Sequence, residues 1–135
     1  MKDEWMDITL DLRERGSTGD VSREEPLHPL DIVLMLYDGM VEFLVRAIKA
    51  INDGAMTEKS RSLSRVIAII EGLYGSIDAE AGGQVAGNLG ELYCFLMKEV
   101  SIVDLTSDVE RLRRALDIII TLRDAWREVG VSRES

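Results

Sequence analysis

Apolar residues recur at steps of three and four along this chain from Pro29 almost to its end, which is the spacing of one face of an α-helix. Three short stretches rich in turn-forming residues divide the pattern into four segments. No alternating run of strand length competes with it, and proline is absent after Pro29. The chain is therefore predicted to be all-α, with an up-down-up-down antiparallel four-helix bundle.

The expected helix boundaries follow from residues with known preferences for helix ends. Pro29 suits a first helical turn, and Asn52-Asp53-Gly54 ends the first helix. Thr57 is the expected N-cap of the second helix, and Asp78 through Gly83 is expected to form a loop. Ser107 through Glu110 has the spacing of a capping box and starts the fourth helix. The apolar stripe expected on the third helix is Val85, Leu89, Leu92, Leu96, Val100 and Val103.

Three regions follow from these boundaries. Residues 27–130 form the bundle, with Gly130 as the stop signal of the last helix, and residues 131–135 form a C-terminal tail. Residues 1–26 mix acids, bases and turn-forming residues, and are predicted to be a partly docked N-terminal arm. Within the arm, Trp5, Ile8 and Leu12 are spaced for a short amphipathic helix, although Ile8, Leu10 and Leu12 also alternate as in a strand.

Composition excludes several classes of partner. The net charge of −9 and a pI near 4.6 oppose binding to nucleic acid and to anionic membranes. Residues 1–5 carry acids where a signal peptide has bases followed by an apolar run, and no uncharged stretch reaches the roughly 20 residues that cross a bilayer. A cytoplasmic protein without membrane insertion is expected. The single cysteine, Cys94, fits a reducing compartment and is expected to be a packed, inert thiol.

The sequence lacks the complete catalytic motifs that a helical bundle could carry. A di-iron bundle requires two Glu-x-x-His motifs on its helices. This chain has one, Glu25-Pro26-Leu27-His28, which lies before the first helix and contains the single histidine of the sequence. Gly82-Gly83 lacks the lysine of a phosphate-binding loop. The chain is therefore predicted not to be an enzyme, with no metal and no cofactor.

Four glycines stand out inside the predicted helices, where each costs roughly 0.5–1 kcal/mol relative to alanine. Gly72 and Gly75 end the second helix and Gly87 and Gly90 begin the third, so both pairs fall near one end of the bundle. They indicate either close approach of the two helices, which we favour, or a shallow floor for the backbone of a partner.

Five strings lie in register across the predicted helices. Together they resemble the flagellar export chaperone family (FliS), and the resemblance covers residues 27 to about 128. The strings are Leu36-Tyr37-Asp38-Gly39, Ala81-Gly82-Gly83, Asn88-Leu89 with Leu92-Tyr93, Asp108-Val109, and Leu122-Arg123-Asp124-Ala125-Trp126.

The resemblance implies a helical bundle that binds the C-terminal segment of flagellin. Such binding prevents premature polymerisation and assists flagellar export, with the export machinery as a further candidate partner. A monomer or weak homodimer is expected. The alternative function is that of a helical adaptor or structural interaction protein with a different client.

The resemblance also suggests where the client binds, on the second and third helices and the adjoining part of the fourth. The candidate client-binding residues are Ile69, Leu73, Tyr74, Asn88, Leu89, Leu92 and Tyr93. Ile69, Tyr74 and Tyr93 are expected to face solvent, whereas Tyr37 and Trp126 are expected to be largely buried.

Members of this family usually carry a short N-terminal segment with a tyrosine that folds onto the bundle. Residues 1–26 of this chain are longer and contain no tyrosine. Trp5, Ile8 and Leu12 are therefore the candidates for an intramolecular cap over the binding groove.

Overall fold

A computed structural model describes residues 29–77 and 79–134, with side chains over 29–77 and 83–130. It contains four helices and, within those ranges, no strand: α1 is Pro29–Asp53, α2 is Met56–Gly75, α3 is Ala79–Thr106 and α4 is Val109–Glu134. Helix α1 packs against α2 and α4, and α3 packs against the same two helices. The fold is therefore an antiparallel four-helix bundle, as predicted, in which α1 lies diagonally opposite α3. The predicted arm and cap residues lie outside the described residues.

The link between α1 and α2 is two residues long. Gly54 adopts φ +74°, and the Ala55 backbone N–H donates to the Ala50 carbonyl at 2.8 Å. Helix α1 thus ends where Asn52-Asp53-Gly54 predicted. Thr57 is not the N-cap of α2, because this tight reversal starts α2 at Met56 and Ala55 precedes it without a side-chain cap.

The turn between α3 and α4 is equally short, and its cap differs from the prediction. Ser107 has φ +58°, and its N–H completes α3 by donating to the Val103 carbonyl at 2.7 Å. Asp108 takes the N-cap role, since the Arg111 N–H donates to its carboxylate at 3.1 Å. The Ser107 hydroxyl instead accepts from the ammonium of Lys59, a buried lysine on α2, at 3.0 Å.

The observed ends of α3 and α4 differ from the predicted ones, and a glycine lies at each difference. Helix α3 begins at Ala79, inside the predicted loop, and breaks at Gly83, whose φ +59° and ψ −134° suit glycine alone. Helix α4 continues through Gly130 to Glu134. A Cβ at Gly130 would lie 3.0 Å from Cδ2 of Leu30, so this glycine allows α1 and α4 to approach closely rather than ending a helix.

The core runs the length of the bundle, and on α3 the predicted stripe is correct at Leu89, Leu96, Val100 and Val103 but runs through Ala86 and Tyr93 instead of Val85 and Leu92. The side chain of Val85 is 74% exposed, while Ala86 and Tyr93 are buried. The observed stripe of Ala86, Leu89, Tyr93, Leu96, Val100 and Val103 alternates strictly between steps of three and four. That spacing keeps one face of a helix on the core of a bundle.

None of the helices, over the residues described, has the length and apolar character needed to cross a membrane.

Candidate functional site

An apolar cavity of about 480 Å³ lies between the C-terminal end of α2 and the N-terminal half of α3. Its volume falls within the range of ligand pockets, roughly 300–1,000 Å³. It is lined by Tyr74, Ile77, Ala86, Gly87, Gly90, Glu91 and Cys94. The α3 residues in this set recur at helical spacing, which places them on one stripe of the helix.

The two α3 glycines shape the cavity in different ways. A Cβ built on Gly90 would lie 3.4 Å from Cε1 of Tyr74 and 3.9 Å from Cδ1 of Ile77, in van der Waals contact. A Cβ on Gly87 would meet no atom within 4 Å. Gly90 therefore lies where α3 packs against the end of α2, at a distance that an alanine would also fit, whereas Gly87 leaves open space in the cavity wall. Gly75 also has open space around it but does not line the cavity.

The rim of the cavity combines an aromatic ring with one charge. Tyr74 is 46% exposed, as predicted, and its ring forms part of the wall. Glu91 is the single charged side chain among the lining residues. Cys94 is exposed, which contradicts the expected packed thiol, because it shares the outward stripe of Gly87 and Glu91 rather than the core stripe.

The other predicted client-binding residues divide into three groups. Asn88 is exposed on α3, beside the cavity lining. Leu89 and Leu92 are partly buried against the core. Ile69 and Tyr93, at 0% and 2% exposure, do not face solvent.

The burial of Ile69 follows from the position of α2. This helix is flanked by α1 and α3, so three successive residues, Ala68, Ile69 and Ile70, are all buried. Leu73, the remaining predicted residue, is buried on the same helix.

Tyr93 is buried because its hydroxyl has a partner in the core. The hydroxyls of Tyr37 and Tyr93 lie 2.5 Å apart in a hydrogen bond that joins the diagonal helices α1 and α3. Burial raises the pKa of Tyr37, and hydrogen bonding by Tyr93 and Trp126 opposes that rise. Burial, reinforced by Tyr37, raises the pKa of Tyr93 well above its usual range. Tyr37 is fully buried as predicted, whereas Trp126 is only partly buried.

An ion-pair network joins α1 to α4 on the outside of this core. One carboxylate oxygen of Asp38 lies 3.3 Å from Arg123 and 3.3 Å from Arg127. Asp38 follows Tyr37 in the first of the five strings, and Arg123 belongs to the last. Residues of these two strings therefore pair across α1 and α4 on the outside of the bundle.

The described side chains hold no cluster of metal-ligating residues. No three His, Cys, Asp or Glu residues among them are grouped to hold an ion.

The cavity could be predicted only in part from the sequence. The Gly87 and Gly90 pair marked its position, but Ala86 and Glu91 carried no signal of their own in the sequence.

The fold and the cavity define the class: an antiparallel four-helix bundle with an apolar pocket between two helices. The family model described as flagellar protein FliS matches residues 20–133, and the chain belongs to that family.

Several curated relatives share this similarity. A protein named flagellar secretion chaperone FliS from Salmonella typhimurium is 31% identical over 103 residues, covering 76% of each chain. The protein of that name from Escherichia coli is 35% identical over 98 residues, covering 72% of each. Its Campylobacter jejuni counterpart is 32% identical over 101 residues, covering 75% of this chain and 79% of its own.

Proposed function

We propose that this chain is a cytoplasmic secretion chaperone that binds the C-terminal segment of flagellin, prevents its premature polymerisation and assists its delivery to the flagellar export machinery. Membership of the FliS family supports the proposal, and so do relatives named flagellar secretion chaperones. The observation that carries it is the apolar cavity between α2 and α3, with the half-exposed Tyr74 on its rim.

The physical logic is that of covering apolar side chains. A segment that folds only on assembly would otherwise expose its apolar face to water and to other copies. A helical bundle offers a preformed apolar surface for such a segment, so that binding needs neither catalysis nor a cofactor. The chaperone itself acts as a monomer or weak homodimer in this proposal.

Within this proposal, the client contacts Tyr74 and Asn88 at the surface and the exposed edges of Leu89 and Leu92. Ile69, Leu73 and Tyr93 take a supporting role, because they are buried beneath that surface. Residues 1–26 act as an arm whose Trp5, Ile8 and Leu12 cover the cavity when no client is bound.

Calorimetric titration of the chaperone with the flagellin C-terminal segment tests the proposed function. Replacing Tyr74 with Glu should weaken binding at least tenfold while changing the melting temperature little, because the ring is half exposed. The matched control is Val45→Glu, an apolar residue on α1 with 51% exposure that does not line the cavity. Absence of binding by the wild type, or equal losses in both variants, would contradict the proposal and favour an adaptor with a different client.

A further inference from the structure

Glu91 places a carboxylate in an otherwise apolar cavity wall. It lies on the outward stripe of α3 between Gly87 and Cys94, and its side chain is exposed. Among the described side chains it forms no ion pair. Glu99, further along α3, differs in this respect, since it pairs with Arg111 at 2.9 Å.

Among the described residues, the parts of α2 and α3 that form the cavity contain no lysine or arginine. Residues 66–77 of α2 and its C-terminal end, and residues 83–97 of α3, include no Lys or Arg. The same two stretches carry a second exposed acid, Glu71. Glu91 is thus the single charge of the cavity lining and has no cation among the described residues around it, so a segment that binds there can supply the pairing charge.

We infer that the segment bound in this cavity carries a Lys or Arg beside an apolar residue, and that Glu91 selects the segment by pairing with this cation. The apolar side chain occupies the open space at Gly87, one helical turn before Glu91 and therefore about 5–6 Å away along the stripe. To span this distance, the apolar residue and the cation of the bound segment must be two residues apart if the segment is extended, and three or four apart if it is helical. The inference rests on the proposed function for the source of the segment.

Charge complementarity gives such a pair a selective role. A charge-assisted hydrogen bond is stronger than a neutral one, and a partly enclosed apolar wall screens it less than open solvent does. The pair would set the register of the bound segment, because shifting the segment by one residue turns the cation away from Glu91.

The test uses the full chain and a synthetic peptide of the flagellin C-terminal segment. Glu91→Gln should weaken binding roughly 3- to 10-fold at low salt. The loss should shrink at 0.5 M NaCl, because salt screens the pair in the wild type. Asp117→Asn is the matched control, since it removes one charge from an exposed acid on α4 away from the cavity, and it should leave the affinity unchanged.

A set of peptides with each Lys or Arg replaced singly by Gln identifies the partner. One replacement should weaken binding to the wild type but cause no further loss in Glu91→Gln. Equal affinities of wild type and Glu91→Gln would overturn the inference, while binding by both would leave the proposed function standing. A change in self-association of Glu91→Gln, with peptide affinity unaltered, would also overturn it by assigning the cavity to a second copy of the chain.

Discussion

The phenol oxygens of Tyr37 and Tyr93 lie 2.5 Å apart across the diagonal of the bundle, between two helices that are not neighbours in its ring. Both residues are fully buried, so neither hydroxyl can exchange this partner for water. The bond links the core-facing sides of α1 and α3. With Tyr93 on the core side of α3, Gly87, Glu91 and Cys94 lie on its outer side, in the cavity wall.

Removing one hydroxyl of the pair should destabilise the bundle without a change of shape. Tyr93→Phe leaves the Tyr37 hydroxyl with less hydrogen bonding in the core, at a cost of about 1–3 kcal/mol in the free energy of unfolding. Urea denaturation measures this cost. The double variant Tyr37→Phe with Tyr93→Phe should lose less than the sum of the single losses, since both phenols then disappear together. Strictly additive losses would show that the two hydroxyls do not interact.

The same pair makes stability depend on alkaline pH. Burial raises the pKa of both phenols above their ordinary value of 10.0 in the folded chain only. Above pH 10 the unfolded chain therefore binds fewer protons than the folded one, and the free energy of unfolding falls as pH rises. Urea denaturation between pH 9 and 11 should show this decline, with a shallower slope in Tyr93→Phe. Equal slopes in both proteins would contradict the assignment to the tyrosine pair.

The helical pattern and the fold class could be predicted from the sequence because the apolar stripes and helix ends are local properties. The solvent exposure of single residues could not. Ile69 is buried because α2 has a neighbour on each side, and no local pattern reports that. Tyr93 is buried because its hydroxyl has a partner 56 residues away in sequence. The predicted stripe of α3 was wrong at Val85, because Val85 and Ala86 are both apolar and the local pattern favoured the larger side chain.

A substitution at Gly87 can distinguish an effect on the stability of the fold from an effect on client binding. Gly87→Ala should stabilise the fold by about 0.5–1 kcal/mol, because alanine favours helix and its Cβ meets no atom within 4 Å. It should also weaken flagellin binding, since the added methyl occupies the cavity. Gly75→Ala is the control, as its Cβ also enters open space but outside the cavity lining. Thermal melting and calorimetry check both effects, and unaltered client affinity in Gly87→Ala would contradict the proposed role of the cavity.

Deleting residues 1–20 tests the proposed arm. A tethered segment that covers the cavity reduces the apparent client affinity by the fraction of molecules left open. Deletion should therefore strengthen binding of the flagellin segment roughly 3- to 10-fold and increase self-association of the free protein. Calorimetry and sedimentation measure the two effects. An arm that is a permanent structural element would give the opposite result, with a less stable bundle and unchanged or weaker binding.

The reactivity of Cys94 reports on the cavity most directly, because this residue is the only cysteine in the chain and lies exposed in the cavity wall. The rate of its reaction with a thiol reagent can be measured with and without a cysteine-free flagellin C-terminal segment. A client seated between α2 and α3 covers the thiol, so a saturating segment should slow the reaction at least tenfold. An unchanged rate at a concentration where calorimetry shows saturation would place the client elsewhere on the bundle and contradict the proposed site.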